Sequence, residues 1–387
     1  MKLKEVVSSG EIREFLNLPL RLYKDYPNWI QPLDKDIEAV FDKNKNKFFR
    51  HGQCIRWILL DGKGQTVGRV AAFINNKTAK STNVAAGGLG FFECINDQAL
   101  AFLLFDTCKK WLEDNGMQAM DGPINFGERD KWWGLLIDGF GHEPNYCMPY
   151  TLPYYKDFFE KYGFKEYFQQ YTYHRPVDMP LPQAYIEKAD RIARDPKYHF
   201  EYINKGKLEK YADDFQHIYN LAWSKHTGVK GMNKTQAMAI MKQLKPILDE
   251  EIVWFAYYDG QPIGFFIMIP ELNQIFKYCH GKFGILQKLT FLYHQWRKTC
   301  KRMFGVAFGI VPEFQGRGLE GAIVQAAAKV VQPKARYTDF EMNWIGDFNP
   351  KMMHVAESVG GQILKTHATY RLIFDLSIPF EKPPVIH

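Results

Sequence analysis

Val311-Pro312-Glu313-Phe314-Gln315-Gly316-Arg317-Gly318-Leu319-Glu320-Gly321-Ala322 joins an apolar run to a helical one through a turn punctuated by glycine. The run before it, Phe304 to Val311, reads as a buried strand, and from Leu319 onward the apolar positions Leu319, Ile323, Ala326 and Val330 recur at helical spacing. The turn is therefore expected to open a helix. Gly316 and Gly318 remove Cβ atoms where an anion can approach the main chain, while the unpaired first-turn N–H groups and the helix dipole supply a positive field. Arg317 adds a mobile cation. The stretch lacks the Lys-Ser/Thr ending of a nucleotide-triphosphate loop, and its glycines do not fit the Gly-x-Gly-x-x-Gly dinucleotide fingerprint. An anion site and an ordinary glycine turn that starts a core helix are the two readings of these residues.

Working outward, the same order of elements is found twice. In the second half a strand is expected at Phe200 to Ile203, helices at Leu208 to Trp223 and Thr235 to Leu248, and a hairpin of Val253 to Tyr258 and Ile263 to Ile269 around Asp259-Gly260-Gln261-Pro262. The motif strand and helix follow, then a strand at Arg336 to Met342, a helix opened by Asn349-Pro350, and two closing strands at Gln362 to Lys365 and Thr369 to Asp375. The first half repeats this more weakly. It has a strand at Leu3 to Ser8, a helix at Ile12 to Asp25, a hairpin of Ile55 to Leu60 and Thr66 to Asn75, a motif-like strand at Gly88 to Glu93 and a helix at Gln98 to Asn115. Between Glu93 and Gln98 there is no glycine-rich loop. The proline-rich Pro176-Val177-Asp178-Met179-Pro180-Leu181-Pro182 marks the boundary, which predicts units at 1–178 and 179–387.

The segment Gln315-Gly316-Arg317-Gly318-Leu319-Glu320 resembles the Gln/Arg-x-x-Gly-x-Gly/Ala pyrophosphate loop of the GNAT superfamily of N-acyltransferases, and departs from it at Glu320, where the family has Gly or Ala. Tyr154-Tyr155-Lys156-Asp157-Phe158-Phe159-Glu160-Lys161-Tyr162-Gly163-Phe164 resembles the late helix of that family, and Met352-Met353-His354-Val355-Ala356-Glu357-Ser358-Val359-Gly360-Gly361 is its counterpart in the second half. The segment from Asp121 to Phe140, with Gly122-Pro123-Ile124-Asn125-Phe126 and Trp133-Gly134-Leu135-Leu136-Ile137-Asp138-Gly139-Phe140, is similar to wording in uncharacterised bacterial two-domain GNAT proteins. Such a loop either lines a site or is structural, capped by its tryptophans.

The resemblance implies an α/β fold with a mixed sheet, two tandem GNAT-like units, and acetyl-CoA or another acyl-CoA as cosubstrate held by the second. Main-chain groups of Gly309, Ile310 and Val311 would meet the thioester and pantetheine arm, Gln315, Gly316, Arg317 and Gly318 the pyrophosphate with Leu319 opening the helix, and Asn349 the CoA. The implied reaction is acyl transfer to a small-molecule amine. Glu341 stands where family members draw a catalytic carboxylate. The family's general-acid Tyr is replaced by Ala356, and by Phe159 in the first half, with His354 and Tyr370 as possible substitutes. Two other readings stand beside this one: an acyl-CoA-binding protein without turnover, favoured by Glu320 and the missing Tyr, and a Fem-type transferase acting on an aminoacyl-tRNA.

At 387 residues, with 46% hydrophobic and 16% aromatic composition, the chain can fill two cores. Six dispersed cysteines without a Cys-x-x-Cys pair predict reduced thiols, and with no stretch that approaches a membrane span the expected setting is soluble and cytoplasmic. The net charge of +7 is concentrated between Glu271 and Met303, where Lys277, Lys282, Lys288, Arg297, Lys298, Lys301 and Arg302 alternate with Phe276, Tyr278, Phe283, Phe291, Tyr293 and Trp296. Such a segment can meet nucleic acid, an anionic membrane surface or an acidic face of a substrate, or it can be a helical excursion whose aromatics pack on the domain.

Overall fold

The computed structural model describes residues 1–81, 83–223 and 231–385. Its first half runs β1 (Lys2–Glu5), α1 (Ser9–Leu22), α2 (Asp34–Phe41), β2 (Gly52–Leu60), β3 (Thr66–Asn75), β4 (Ala86–Cys94), α3 (Gln98–Asp114), β5 (Ala119–Gly122), β6 (Leu135–Asp138), α4 (Tyr155–Tyr162) and β7 (Lys165–Pro176). The second half runs α5 (Gln183–Ala193), β8 (Tyr198–Tyr202), α6 (Leu208–Trp223), α7 (Lys234–Leu244), β9 (Val253–Tyr258), β10 (Gln261–Pro270), α8 (Asn273–Phe276), α9 (Ile285–Trp296), β11 (Arg302–Ile310), α10 (Leu319–Val331), β12 (Asp339–Gly346), α11 (Pro350–Ser358) and β13 (Gln362–Ile373).

Local chemistry sets the helix starts. Ser8 and Glu11 form a reciprocal capping box on α1, the Asp97 carboxylate accepts from Ala99 and Leu100 N–H at the head of α3, and Asn349 accepts from Met352 N–H ahead of Pro350 in α11. The expected hairpins form as β2–β3 and β9–β10. The end of the chain differs from expectation: one continuous strand, β13, replaces the two closing strands. It can run unbroken because it enters the middle of the sheet, where both of its edges find partners.

Among the described residues the strands make one mixed sheet in the order β1-β2-β3-β4-β5-β13-β7-β12-β11-β10-β9-β8, with β6 also pairing β13. Each half's closing strand is therefore paired with the other half's strands: β7 lies against β12, and β13 lies against β5. Two of the apolar cores among the described residues bear on the site. One, built on Phe92, Leu104, Phe105, Tyr155 and Phe159, underlies the first half, and it includes Tyr370 and Leu372 of β13. The other packs Ile323, Ala327 and Val331 of α10 against Trp254, Phe266, Met303 and Phe340.

Candidate active site

The motif strand β11 pairs in parallel with β12 over four rows only, from Arg302 opposite Asp339 to Gly305 opposite Met342, and then the two strands part. On its other side β11 stays paired with β10 as far as Ile310, with a register shift between Ile267 and Met268 that leaves Val306 as the extra residue. From Val306 onward, one edge of β11 thus has no strand partner. A wedge opens at Gly305, and α10 and α11 cover it. The result is a cavity of about 400 Å³ walled by Phe266, Met268, Met303, Val324, Ala328 and Phe340, with Asn343 and Asn349 among its few polar lining groups. That volume lies within the roughly 300–1,000 Å³ of small-molecule sites.

The loop that opens α10 takes the conformation its glycines suggest: Gly316 and Gly318 have φ of 72° and 90°, and Gly318 is the N-cap residue. Gln315 turns inward, its Nε2 donating to Ile310 O at 2.8 Å, so it braces the end of β11. The Arg317 guanidinium lies over the Phe314 ring at 5.8 Å and is exposed. Glu320 folds back so that its Oε1 accepts from Gly316 N–H at 3.4 Å. A carboxylate therefore stands at one of the N–H groups that an incoming phosphate would use.

Of the other sequence-derived positions, Asn349 lines the cavity, whereas Gly309, Ile310 and Val311 do not, since the lining along β11 ends at Phe308. Ile310, Val311 and Leu319 bury their side chains in the cores and leave only main chain to a ligand. Val311 N–H is already used by Ile263 O at 2.9 Å. The late-helix position Ala356 lies in the cavity wall, while His354 is exposed on the outer face of α11 and does not line the cavity. Tyr370 is not brought to this cavity. It is buried in the first half's core beside Phe159, its hydroxyl donates to Glu160 at 3.3 Å, and burial pushes its pKa up.

Glu341 also faces away from the cavity, because Phe340 and Met342 occupy the cavity side of β12 and strand side chains alternate. It is wholly buried. Arg302 Nε stands 3.0 Å from Oε1, Lys365 Nζ 2.9 Å from Oε2, and Asn145 Nδ2 donates to Oε2 at 2.6 Å. Burial raises the carboxyl's pKa, but the Lys365 and Arg302 charges more than offset this and hold it below the ordinary carboxylate range. The same Asn145 amide donates to Glu271 at 2.9 Å, and Lys365 donates to Glu143 O at 3.0 Å. The network thus ties β12, β13, the end of β10 and the loop around Asn145 together across both halves.

Beside it lies a pair that sequence reasoning missed. His174 on β7 is in register with Glu341, and its Nε2 is 2.8 Å from Asp339 Oδ1. Both residues are partly exposed on the face opposite the apolar cavity; His174 stands one row, and Asp339 three rows, before the last β11–β12 pair, Gly305 with Met342. Burial works to raise the Asp339 carboxyl, but its bonds from Thr338 and His174 hold it below the usual range. No local pattern marks His174, since its partner lies far away in the chain. Nor does one mark Lys365, whose strand also carries Thr366, His367, Thr369 and Arg371.

In the first half β4 and β5 likewise pair in parallel over three rows only, from Ala86 opposite Ala119 to Gly88 opposite Asp121, but the space beyond is closed differently. Along β4, Phe92 packs against Phe105 and Phe159 at 4.8 and 5.6 Å, and Glu93 is enclosed by Arg69 and the hydroxyls of Tyr23 and Tyr155 at 2.9 and 2.7 Å. The segment 121–140 instead lines a smaller pocket of about 140 Å³ with Asn125, Phe126 and Trp133, next to the bidentate Arg371–Asp121 pair at 2.6 and 2.8 Å. Trp344 Nε1 on the cavity's rim donates to Arg129 O of this segment at 2.9 Å.

The parted strands, the glycine loop and the doubled topology define a tandem GNAT fold. Comparison with solved structures agrees. The chain superposes on the tandem GNAT protein from the clavulanic acid biosynthesis pathway with a TM-score of 0.55 at 10% identity, covering 98% of this chain and 100% of that one. It superposes equally, at 12% identity, on the GCN5-related glucosamine N-acetyltransferase region of a fungal multi-domain GH3 β-N-acetylglucosaminidase, covering 96% of this chain but 38% of that one. No family model matches the chain. Its curated relatives include the bacterial ceramide synthase of Caulobacter vibrioides, 26% identical over 384 residues, with 94% of this chain and 95% of the relative covered. Protein YghO of Escherichia coli is 24% identical over 371 residues, with 94% and 93% covered.

Proposed function

We propose that the protein is an N-acyltransferase that moves a long-chain acyl group from an acyl-CoA to the primary amine of a lipid-like amino alcohol. The carrying observation is the apolar cavity at the parting of β11 and β12, which is walled by aliphatic and aromatic side chains. The name of the Caulobacter relative, a ceramide synthase, describes the same class of amide-forming chemistry.

In this reading residues 179–387 hold the donor and residues 1–178 shape the acceptor side. The N–H groups of the Gln315–Gly318 turn take the pyrophosphate, the free edge of Val306 to Ile310 takes the amides of the pantetheine arm, and the acyl chain fills the cavity. The amine approaches from the opposite face. His174, oriented by Asp339, accepts the ammonium proton; the amine nitrogen then attacks the thioester carbonyl, the C–N bond forms, the C–S bond breaks, and the second proton lost by the nitrogen passes to the departing sulfur, so that CoA leaves as the thiol. Where family members place a Tyr to protonate that sulfur, Ala356 leaves room for the acyl chain. Glu341 acts as a positioning residue that holds the central strands in register.

The test supplies palmitoyl-CoA and a long-chain 2-amino-1,3-diol, follows thiol release and identifies the product by mass spectrometry. One amide per thiol is expected, with acetyl-CoA a poorer donor. Thiol release without amide, or no release at all, contradicts the reading. Glu320 at Gly316 N–H favours one alternative, a donor-binding protein without turnover, and the same assay separates the two: donor binding with no thiol release selects it.

A further inference from the structure

From Lys277 to Arg302 the chain carries seven cations and no acidic residue. Within this stretch α9 presents Ile285, Leu286, Leu289, Leu292, Tyr293 and Trp296 to solvent, a spacing of i, i+1, i+4, i+7, i+8 and i+11 that places all six on one helical face. Ile285 and Trp296, at the two ends of the row, are 79% and 77% exposed. The helix itself is firmly seated by its other side. Phe291 packs against Phe276 and Phe283, His294 stacks on Tyr278 at 4.2 Å, and Gln295 Nε2 donates to Pro246 O at 2.7 Å. The outward row is therefore a fixed feature of the fold. Lys288, Arg297 and Lys298 flank it, all exposed, and among the described residues no ion pair engages them.

We propose that α9 is a membrane-surface docking helix that seats the protein on an anionic lipid bilayer. It lies in the interface with the leucine row among the acyl chains and the lysines and arginine among the headgroups. A row of large aliphatic side chains with Trp and Tyr, edged by cations of one sign, matches the chemistry of a helix lying in the headgroup boundary. Charge selects this occupant over a second copy of the chain: pairing two α9 faces brings Lys288, Arg297 and Lys298 of both copies together with no carboxylate on the segment to receive them. With 12 residues, α9 lies on a bilayer rather than crossing it, and no helix among the described residues is long and apolar enough to cross one. The inference stands on this helix alone and holds whether or not the acyl-transfer reading does.

The test is co-sedimentation of the full chain with phosphatidylcholine vesicles, with and without phosphatidylglycerol. The wild type should bind the anionic vesicles, and less so as salt rises. Leu289→Asp with Leu292→Asp should lower partitioning about 100-fold, and Lys288→Glu with Lys298→Glu should remove the preference for phosphatidylglycerol. All four positions are exposed, so the thermal melt should stay unchanged in both variants. Failure of the wild type to bind anionic vesicles, or wild-type binding by the leucine variant, overturns the proposal. So does a wild-type dimer in sedimentation velocity that the leucine variant converts to monomer while the wild type ignores vesicles.

Discussion

Replacing Glu320 with Gln should tighten donor binding, because the carboxylate now competes for the site it borders. Its Oε1 stands 3.4 Å from Gly316 N, so a phosphate oxygen taking that N–H comes within about 4 Å of the carboxylate. At that separation two unit charges repel by about 4 kcal/mol at an effective dielectric constant of about 20. Glu320 is only partly buried and can swing toward water, which leaves about 1–2 kcal/mol of net cost. Removing it corresponds to about 5- to 30-fold tighter binding. Titration calorimetry with CoA should show this gain for Glu320→Gln at low ionic strength, and the gap should narrow at about 0.5 M salt, where exposed charges are screened. An unchanged dissociation constant, or weaker binding by the variant, would refute the reasoning. The first result would mean that phosphate does not reach this loop, the second that the Glu320–Gly316 bond is needed to hold the loop open for it.

Ala328→Trp should fill part of the cavity and shift donor preference from palmitoyl-CoA toward short acyl-CoA esters, read as the ratio of kcat/KM values along a chain-length series. His174→Gln should lower kcat by about 100-fold or more while leaving CoA affinity within about twofold, because the side chain meets the amine and not the donor. Glu341→Gln leaves Lys365 and Arg302 buried without their carboxylate, so urea unfolding should show a loss of about 3–5 kcal/mol. Normal stability with lost turnover would instead return Glu341 to catalysis. His367 is buried with its pKa pushed down to about 4 from 6.5, chiefly by burial, while its Nε2 lies 3.0 Å from Pro149 O. The unfolded chain takes up the proton first as pH falls, so stability is full above about pH 6.5 and declines by about 3 kcal/mol toward pH 4. Denaturant titrations across that range should show the decline, and His367→Gln should flatten it.

The elements around Gln315 to Gly318 were legible because their signals are local. The glycine turn, the apolar run before it and the helical spacing after it lie within one short stretch, and Asn349-Pro350 announces its helix in two residues. What stayed hidden depends on strand order. Nothing in the chain reveals that β7 and β13 stand in the middle of the sheet, and from that placement come the burial of Glu341, its neighbour Lys365 and the position of His174. Tyr370 illustrates the cost of reading by proximity: it follows the second half's late helix in sequence, yet β13 carries it into the first half's core. The basic segment was legible as a helical excursion, but which of its apolar residues face inward was not. Phe276, Phe283 and Phe291 pack, while Leu286, Leu289 and Trp296 do not, because α9 is held by one side only.

The central claim is that an acyl donor enters where β11 and β12 part. It is tested most directly by a crystal structure of the protein with a non-reactive thioether analogue of palmitoyl-CoA. The pyrophosphate should lie against the N–H groups of Gly316 to Gly318 with Glu320 swung aside, the pantetheine arm along Val306 to Ile310, and the alkyl chain between Phe266, Val324, Ala328 and Phe340. An analogue bound at the pocket of Asn125 and Trp133, or on the surface with the cavity between α10 and α11 left closed, would contradict the account.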